Sequence, residues 1–146
     1  TFILNLTDSA NQSSKVTATF RDVDGAGGAS PSVTDTLRVY SGRTYYASIT
    51  LLDETKSPVD TLSKEILKEA EDHQFFFSFS GVSIMAVYLD KDVNNLPLGL
   101  STKWVTKSAA LGTSKIVLRH QAGTKNGTSG PGETDIEVDF NTKILN

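Results

Sequence analysis

The chain has 146 residues, 38% of them hydrophobic and 21% charged, with a formal net charge of −3 and no Cys. That length suits one domain able to bury a core without metal or disulfide. The charge argues against a nucleic-acid partner, and the missing Cys removes thiolate nucleophiles, disulfides and Cys-ligated zinc. No apolar run approaches the roughly 20 residues that span a bilayer, and the chain opens on Thr1 with strand signal at once, as expected of a processed or trimmed amino terminus.

Apolar and polar residues alternate with period two in short stretches bounded by Gly, Ser, Asn or Asp, the pattern of half-buried antiparallel strands. In chain order the inward series are Phe2, Leu4, Leu6; Val16, Ala18, Phe20; Tyr45, Ala47, Ile49, Leu51; Phe75, Phe77, Phe79; Ile84, Ala86, Tyr88; Ile116, Leu118; and Ile136, Val138, Phe140. Weaker strands are expected over Ser32 to Val39 and Leu100 to Lys107. About nine antiparallel strands at this spacing predict an all-β, immunoglobulin-like or Greek-key sandwich in a single domain, 1–146. Only Ser63 to Ala70 departs, where Leu62, Ile66 and Leu67 have helical spacing and Ser63 is a candidate cap for one or two turns after Pro58.

If successive strands alternate in direction, the connectors sort into two ends. One end receives the long segments Asp22 to Pro31, Asp53 to Asp72, Asp90 to Gly99 and Gln121 to Glu133. The other receives the shorter Asp8 to Ser14, Tyr40 to Gly42, Ser80 to Ser83 and Ser108 to Ser114. Function in sandwiches concentrates on loops held by rigid sheets, so the long-loop end is the place to seek a site.

Chemistry-bearing side chains fall at that end. Asp22 and Asp24 precede a Gly-rich turn, and Asp90 and Asp92 precede two Asn residues; oxygen donors so spaced suit calcium, and the four are expected to cluster. The signal is weak, because neither stretch completes an EF-hand, and Asx turns at loop starts are the favoured bland reading. The two His residues, His73 and His120, both have inward parity, and alternating strand direction brings them to the same mouth. With Glu133 and Asp135 nearby they form a candidate mixed site for a transition metal or other ligand; the bland alternative is a pair of core-capping histidines. Asp135, Glu137 and Asp139 alternate with Ile136, Val138 and Phe140, which places the acids on a solvated strand face. Phe76 points outward and Trp104 lies among polar residues; sheet packing is the expected role of both, a ligand platform the alternative. No nucleophile elbow, P-loop, H-E-x-x-H or dinucleotide fingerprint occurs, so no enzyme is expected.

His73-Gln74-Phe75-Phe76-Phe77, Asn95-Leu96-Pro97-Leu98-Gly99-Leu100, Leu118-Arg119-His120 and Gly132-Glu133-Thr134-Asp135-Ile136-Glu137-Val138 together resemble a family of exported Bacteroidota lipoproteins. That family shows a D-x-D-G loop, an acidic stretch ending in D/E-H-Q-F-F-F, an N-x-P-x-G-L loop and a G-G-E-T-D-I-E-V close in this order. Here Pro131 replaces the first of the paired glycines, and Lys64 and Lys68 dilute the acidic stretch. The resemblance implies a signal peptide, a lipidated Cys upstream of Thr1, attachment to the outer membrane by lipid alone, and an accessory role beside a TonB-dependent receptor. Members are often labelled a type 1 periplasmic binding fold, which needs alternating strands and helices and does not suit the strand list. The rival function is a structural or adhesive surface module with calcium-stiffened loops. Export in such a bacterium also implies glycans on a motif of Asp, Ser/Thr and an aliphatic residue, matched at Ser9, Thr36 and Thr61. Ser9 and Thr61, in connectors, are the expected carriers over Thr36, in an expected strand.

Overall fold

A computed structural model describes residues 1–24 and 28–146. Among them are ten strands: β1 (Phe2–Asp8), β2 (Lys15–Arg21), β3 (Val33–Thr34), β4 (Leu37–Tyr40), β5 (Thr44–Leu51), β6 (His73–Ser80), β7 (Ile84–Tyr88), β8 (Ser101–Thr106), β9 (Ala110–His120) and β10 (Glu133–Leu145). Between β5 and β6 lie the helix α1 (Leu62–Lys68) and a 3-10 turn over Ala70–Asp72. Six strands form one sheet in the order β3-β2-β1-β5-β8-β7, and four form the other in the order β4-β10-β9-β6. This is the all-β sandwich that the alternation predicts.

The inward series meet between the sheets. Phe2, Leu4, Leu6, Tyr45, Ala47 and Leu51 from the larger sheet and Phe75, Ile116, Leu118, Val138 and Phe140 from the smaller are all buried in one cluster. Each such large side chain contributes about 1.5–3 kcal/mol by leaving water. Phe2 and Phe140 close the gap with ring centroids 6.0 Å apart. Trp104 belongs to this core: it is fully buried, meets the rings of Phe77 and Phe79 edge-on at 5.8 and 5.1 Å, and donates its indole N–H to Thr102 Oγ1 at 2.9 Å. A buried indole with a satisfied N–H is packing, not a platform for a ligand.

The segment read as one strand, Ser32 to Val39, divides and changes sheet. β3 pairs with β2, whereas β4 pairs with β10, and does so in parallel, from Thr142↔Leu37 to Leu145↔Tyr40. Asp35 holds the crossover, its N–H donating to Thr19 O at 3.0 Å and its Oδ2 accepting the Thr19 N–H at 2.8 Å. A continuous strand predicts one face; the observed break lets Leu37 and Val39 enter the core from the opposite sheet. The helix starts two residues earlier than a Ser63 cap predicts, with Thr61 in the N-cap position and no side-chain cap. It is held instead by burial of Ile66.

Register places the connectors as expected. Phe2 stands opposite both Phe20 and Leu51, and His73 opposite His120, so the ends of β2, β5 and β9 and the start of β6 share one edge of the sandwich. The long connectors leave from that edge.

Candidate functional site

His73 and His120 face each other across the β6–β9 ladder on the inward parity of Phe75 and Leu118. Their rings stack with centroids 4.6 Å apart and planes 8° from parallel. His73 is buried and His120 exposed. His73 Nδ1 lies 3.0 Å from the backbone oxygen of Glu69. A carbonyl only accepts, so Nδ1 carries the proton, and in the neutral ring Nε2 keeps its lone pair. That lone pair faces Asp135 Oδ2 at 3.6 Å. Ligand atoms of His73, His120 and Asp135 all lie within 4.8 Å of one another.

Strict alternation sends Asp135 outward, and the structure reverses this. The β9–β10 register runs Glu133↔His120 and Thr134↔Arg119, then skips to Ile136↔Leu118, leaving Asp135 as the extra residue of a β-bulge. Such a bulge re-aims a side chain. Beyond it parity resumes: Glu137 and Asp139 stay outside, where Lys115 Nζ lies 2.5 and 3.8 Å from their carboxylates. Glu133, opposite His120 along the backbone, is exposed and stands outside the group of three. Gly132, just before β10, has φ of 75°, and a Cβ there would lie 1.9 Å from His120 O. Only glycine lets the loop return so close to His120.

A cavity of about 340 Å³ opens beside His73, with Leu51, Leu62, Ile66, Leu118 and Ile136 as its apolar lining and Glu65, Glu69 and Asp135 among its polar groups. A neighbouring hollow of about 250 Å³ shares Leu51, Leu62, Asp135 and Ile136 and adds Phe2, Phe20, Asp22 and Glu137. Neither is lined by Lys or Arg among the described residues. Carboxylates above an apolar floor favour a ligand carrying positive charge. Phe76, half-buried, lines a separate hollow on the outer face of the smaller sheet with Val117, Arg119 and Thr134.

The Asp pairs do not gather into the expected cation cluster. His73, His120 and Asp135 form the one group of three or more potential ligand side chains among the described residues. Asp90 spends both oxygens on backbone, accepting Gly99 N–H at 2.7 Å and Ser101 N–H at 2.9 Å. Asp92 Oδ1 accepts the N–H groups of Asn94 and Leu96 at 2.9 and 3.0 Å, and Oδ2 meets Lys125 Nζ at 2.8 Å. An ammonium thus occupies the place a calcium ion would need. Asp24 Oδ2 accepts Ala29 N–H at 2.7 Å, and this bond, then the Asp22 side chain, holds the Asp24 carboxyl below its usual value. The rest of that turn, Gly25 to Gly27, lies outside the described residues. Asp22 lines the smaller hollow.

Two contributors escape sequence reasoning. Glu69 acts through its carbonyl, which any residue would supply. Lys125 sits in a loop of small residues, and only folding reveals its partner 33 positions away. Of the glycan-motif residues, Ser9 and Thr36 are exposed, and Thr36 lies in the break between β3 and β4 instead of within a strand; Thr61 is half-buried at the start of α1.

No family model, curated protein or solved structure matches the chain. No helix among the described residues is long and apolar enough to cross a membrane.

Proposed function

We propose that this domain is a non-enzymatic binding module, the ligand-capturing part of an exported lipoprotein that works beside a TonB-dependent outer-membrane receptor. The observation that supports binding is the mouth at the long-loop end, where an apolar cavity, several carboxylates and a stacked histidine pair adjoin. A sandwich supplies the rigid frame and its connectors the recognition surface. The lipid anchor and the receptor come from the sequence resemblance. The rival role as a calcium-stiffened module draws no support from Asp90 and Asp92, whose oxygens are taken by backbone N–H groups and Lys125.

The chain has no Cys, so single introduced thiols are unique handles. Glu65→Cys puts a cross-linker at the cavity, and Leu111→Cys puts one at the far end, where Leu111 is 72% exposed. In native outer membranes the first variant is expected to cross-link to a β-barrel receptor and the second not. No adduct from position 65, or equal adducts from both, would defeat the proposal.

A further inference from the structure

We infer that His73, His120 and Asp135 form a binding site for a divalent transition-metal ion, with zinc the ion the donor set fits best. This inference rests on reading the long-loop mouth as the binding place, and it names the chemical class bound there.

Three observations converge on it. His73 Nδ1 donates to Glu69 O at 3.0 Å, which leaves Nε2 bare. A histidine metal ligand commonly gives its other N–H to a backbone carbonyl in this way, fixing both tautomer and ring orientation. The bare Nε2 then faces Asp135 Oδ2 at 3.6 Å. With a neutral ring these two atoms are both acceptors, and a cation between them, a metal ion or a proton on Nε2, relieves their repulsion. Ligand atoms on an ion held tetrahedrally at about 2.0–2.1 Å lie about 3.4 Å apart, so this edge of the site is nearly formed.

The second observation concerns the remaining edges. All three ligand atoms lie within 4.8 Å of one another, looser than a filled site. Parallel rings aim their lone pairs side by side, so His120 must tilt out of the stack to share an ion with His73. His120 and Asp135 are exposed and able to turn, while His73 is the buried, fixed ligand. The third observation is the bulge. It is the register shift between Thr134 and Ile136 that brings Asp135 to the histidines, whereas Glu137 and Asp139, on regular strand, remain with Lys115.

The donor set selects the ion. Two imidazoles and a carboxylate suit zinc and its first-row neighbours, whereas calcium takes oxygen ligands. The chain offers no thiolate to favour copper(I). Three protein ligands leave a fourth position for water or for a donor atom of a molecule in the adjoining cavity.

Isothermal titration of EDTA-treated protein with zinc chloride is expected to show one saturable site. His120→Gln and Asp135→Asn should each bind at least about 100-fold more weakly, the upper end of the loss for an outer-shell partner alone. Both positions are exposed, so the variants should melt with the wild type in EDTA; only the wild type should gain thermal stability in excess zinc. Cobalt(II) should give the visible absorption of a tetrahedral site in the wild type alone. Absence of saturable zinc binding, or variants binding as tightly as the wild type, would overturn the assignment. If zinc fails while position 65 still cross-links to a receptor, only the metal is lost; if zinc binds and cross-linking fails, the site stands and the transporter role falls.

Discussion

The Lys125 ammonium lies 2.8 Å from Asp92 Oδ2, with 2% and 0% of the two side chains exposed, and it also donates to Ala70 O at 2.8 Å. One ion pair thereby joins the 121–132 loop to the 89–100 loop and to the turn before His73. Breaking a buried pair from one side strands a charge, at about 3–5 kcal/mol. Lys125→Met should therefore lower Tm by roughly 10 °C or more for a chain of this size. Adding Asp92→Asn removes the stranded charge, and its amide oxygen still accepts the Asn94 and Leu96 N–H groups. The double variant should recover part of the loss, which thermal melting of the four-member cycle will show as strong coupling.

Asp92 also sets an acid limit. Burial, the largest single influence, would raise its carboxyl, but the Lys125 bond, the Leu96 N–H, the Lys125 charge and the Asn94 N–H together outweigh it and hold the carboxyl below the usual carboxylate range. A depressed folded value stabilises fully above the unfolded value of about 3.9. That contribution disappears as pH falls through the lower folded value. The Tm advantage of wild type over Asp92→Asn should hold at neutral pH and shrink progressively below about pH 4. Scanning calorimetry of both proteins across that range checks it.

Asp90 fastens the start of its loop to the Gly99 and Ser101 N–H groups. Asp90→Ala leaves two amide donors without this acceptor, at about 1–3 kcal/mol for each that stays buried and unpaired. The resulting fall in Tm should be the same with EDTA and with millimolar calcium. A loss seen only in calcium would restore the cation reading of Asp90.

Gly132→Ala should damage both fold and site. The new Cβ would meet His120 O at 1.9 Å from a backbone with φ of 75°. Relief requires moving either the loop or the β9 terminus that carries His120. We expect a lower Tm and zinc affinity reduced more than tenfold, read by melting and titration. Ala at Gly123, whose φ of 65° meets no atom within 4 Å, is the control: it carries the backbone strain without the collision and should leave zinc binding unchanged.

The alternation of small apolar sets such as Phe2, Leu4 and Leu6 was enough to read the strands, because a sandwich core imposes period two on each of them. Parity with alternating strand direction also placed His73 beside His120. What resisted were features set by partners distant in sequence. Whether Leu37 packs from one sheet or the other depends on Thr142, and the orientation of Asp135 depends on one unpaired position opposite β9. Asp92 reads as a cation ligand until Lys125 arrives from another loop to neutralise it. Ser63 has cap chemistry, yet α1 begins at Leu62 with Thr61 in the N-cap position, so Ser63 lies within the helix.

The crossover at Asp35 has a kinetic consequence. β4 has a single neighbour in its sheet, β10, about a hundred positions later in the chain. β10 is also the strand that links β4 to β9 and β6. During synthesis the earlier strands emerge first, but Leu37 and Val39 lack their sheet partner until the last strand appears. Pairings so far apart close slowly. β6 and β9 can pair before β10 arrives, but β4 joins the smaller sheet only through β10, so a chain cut before β10 would leave β4 unpaired and the β9 edge open to any neighbour.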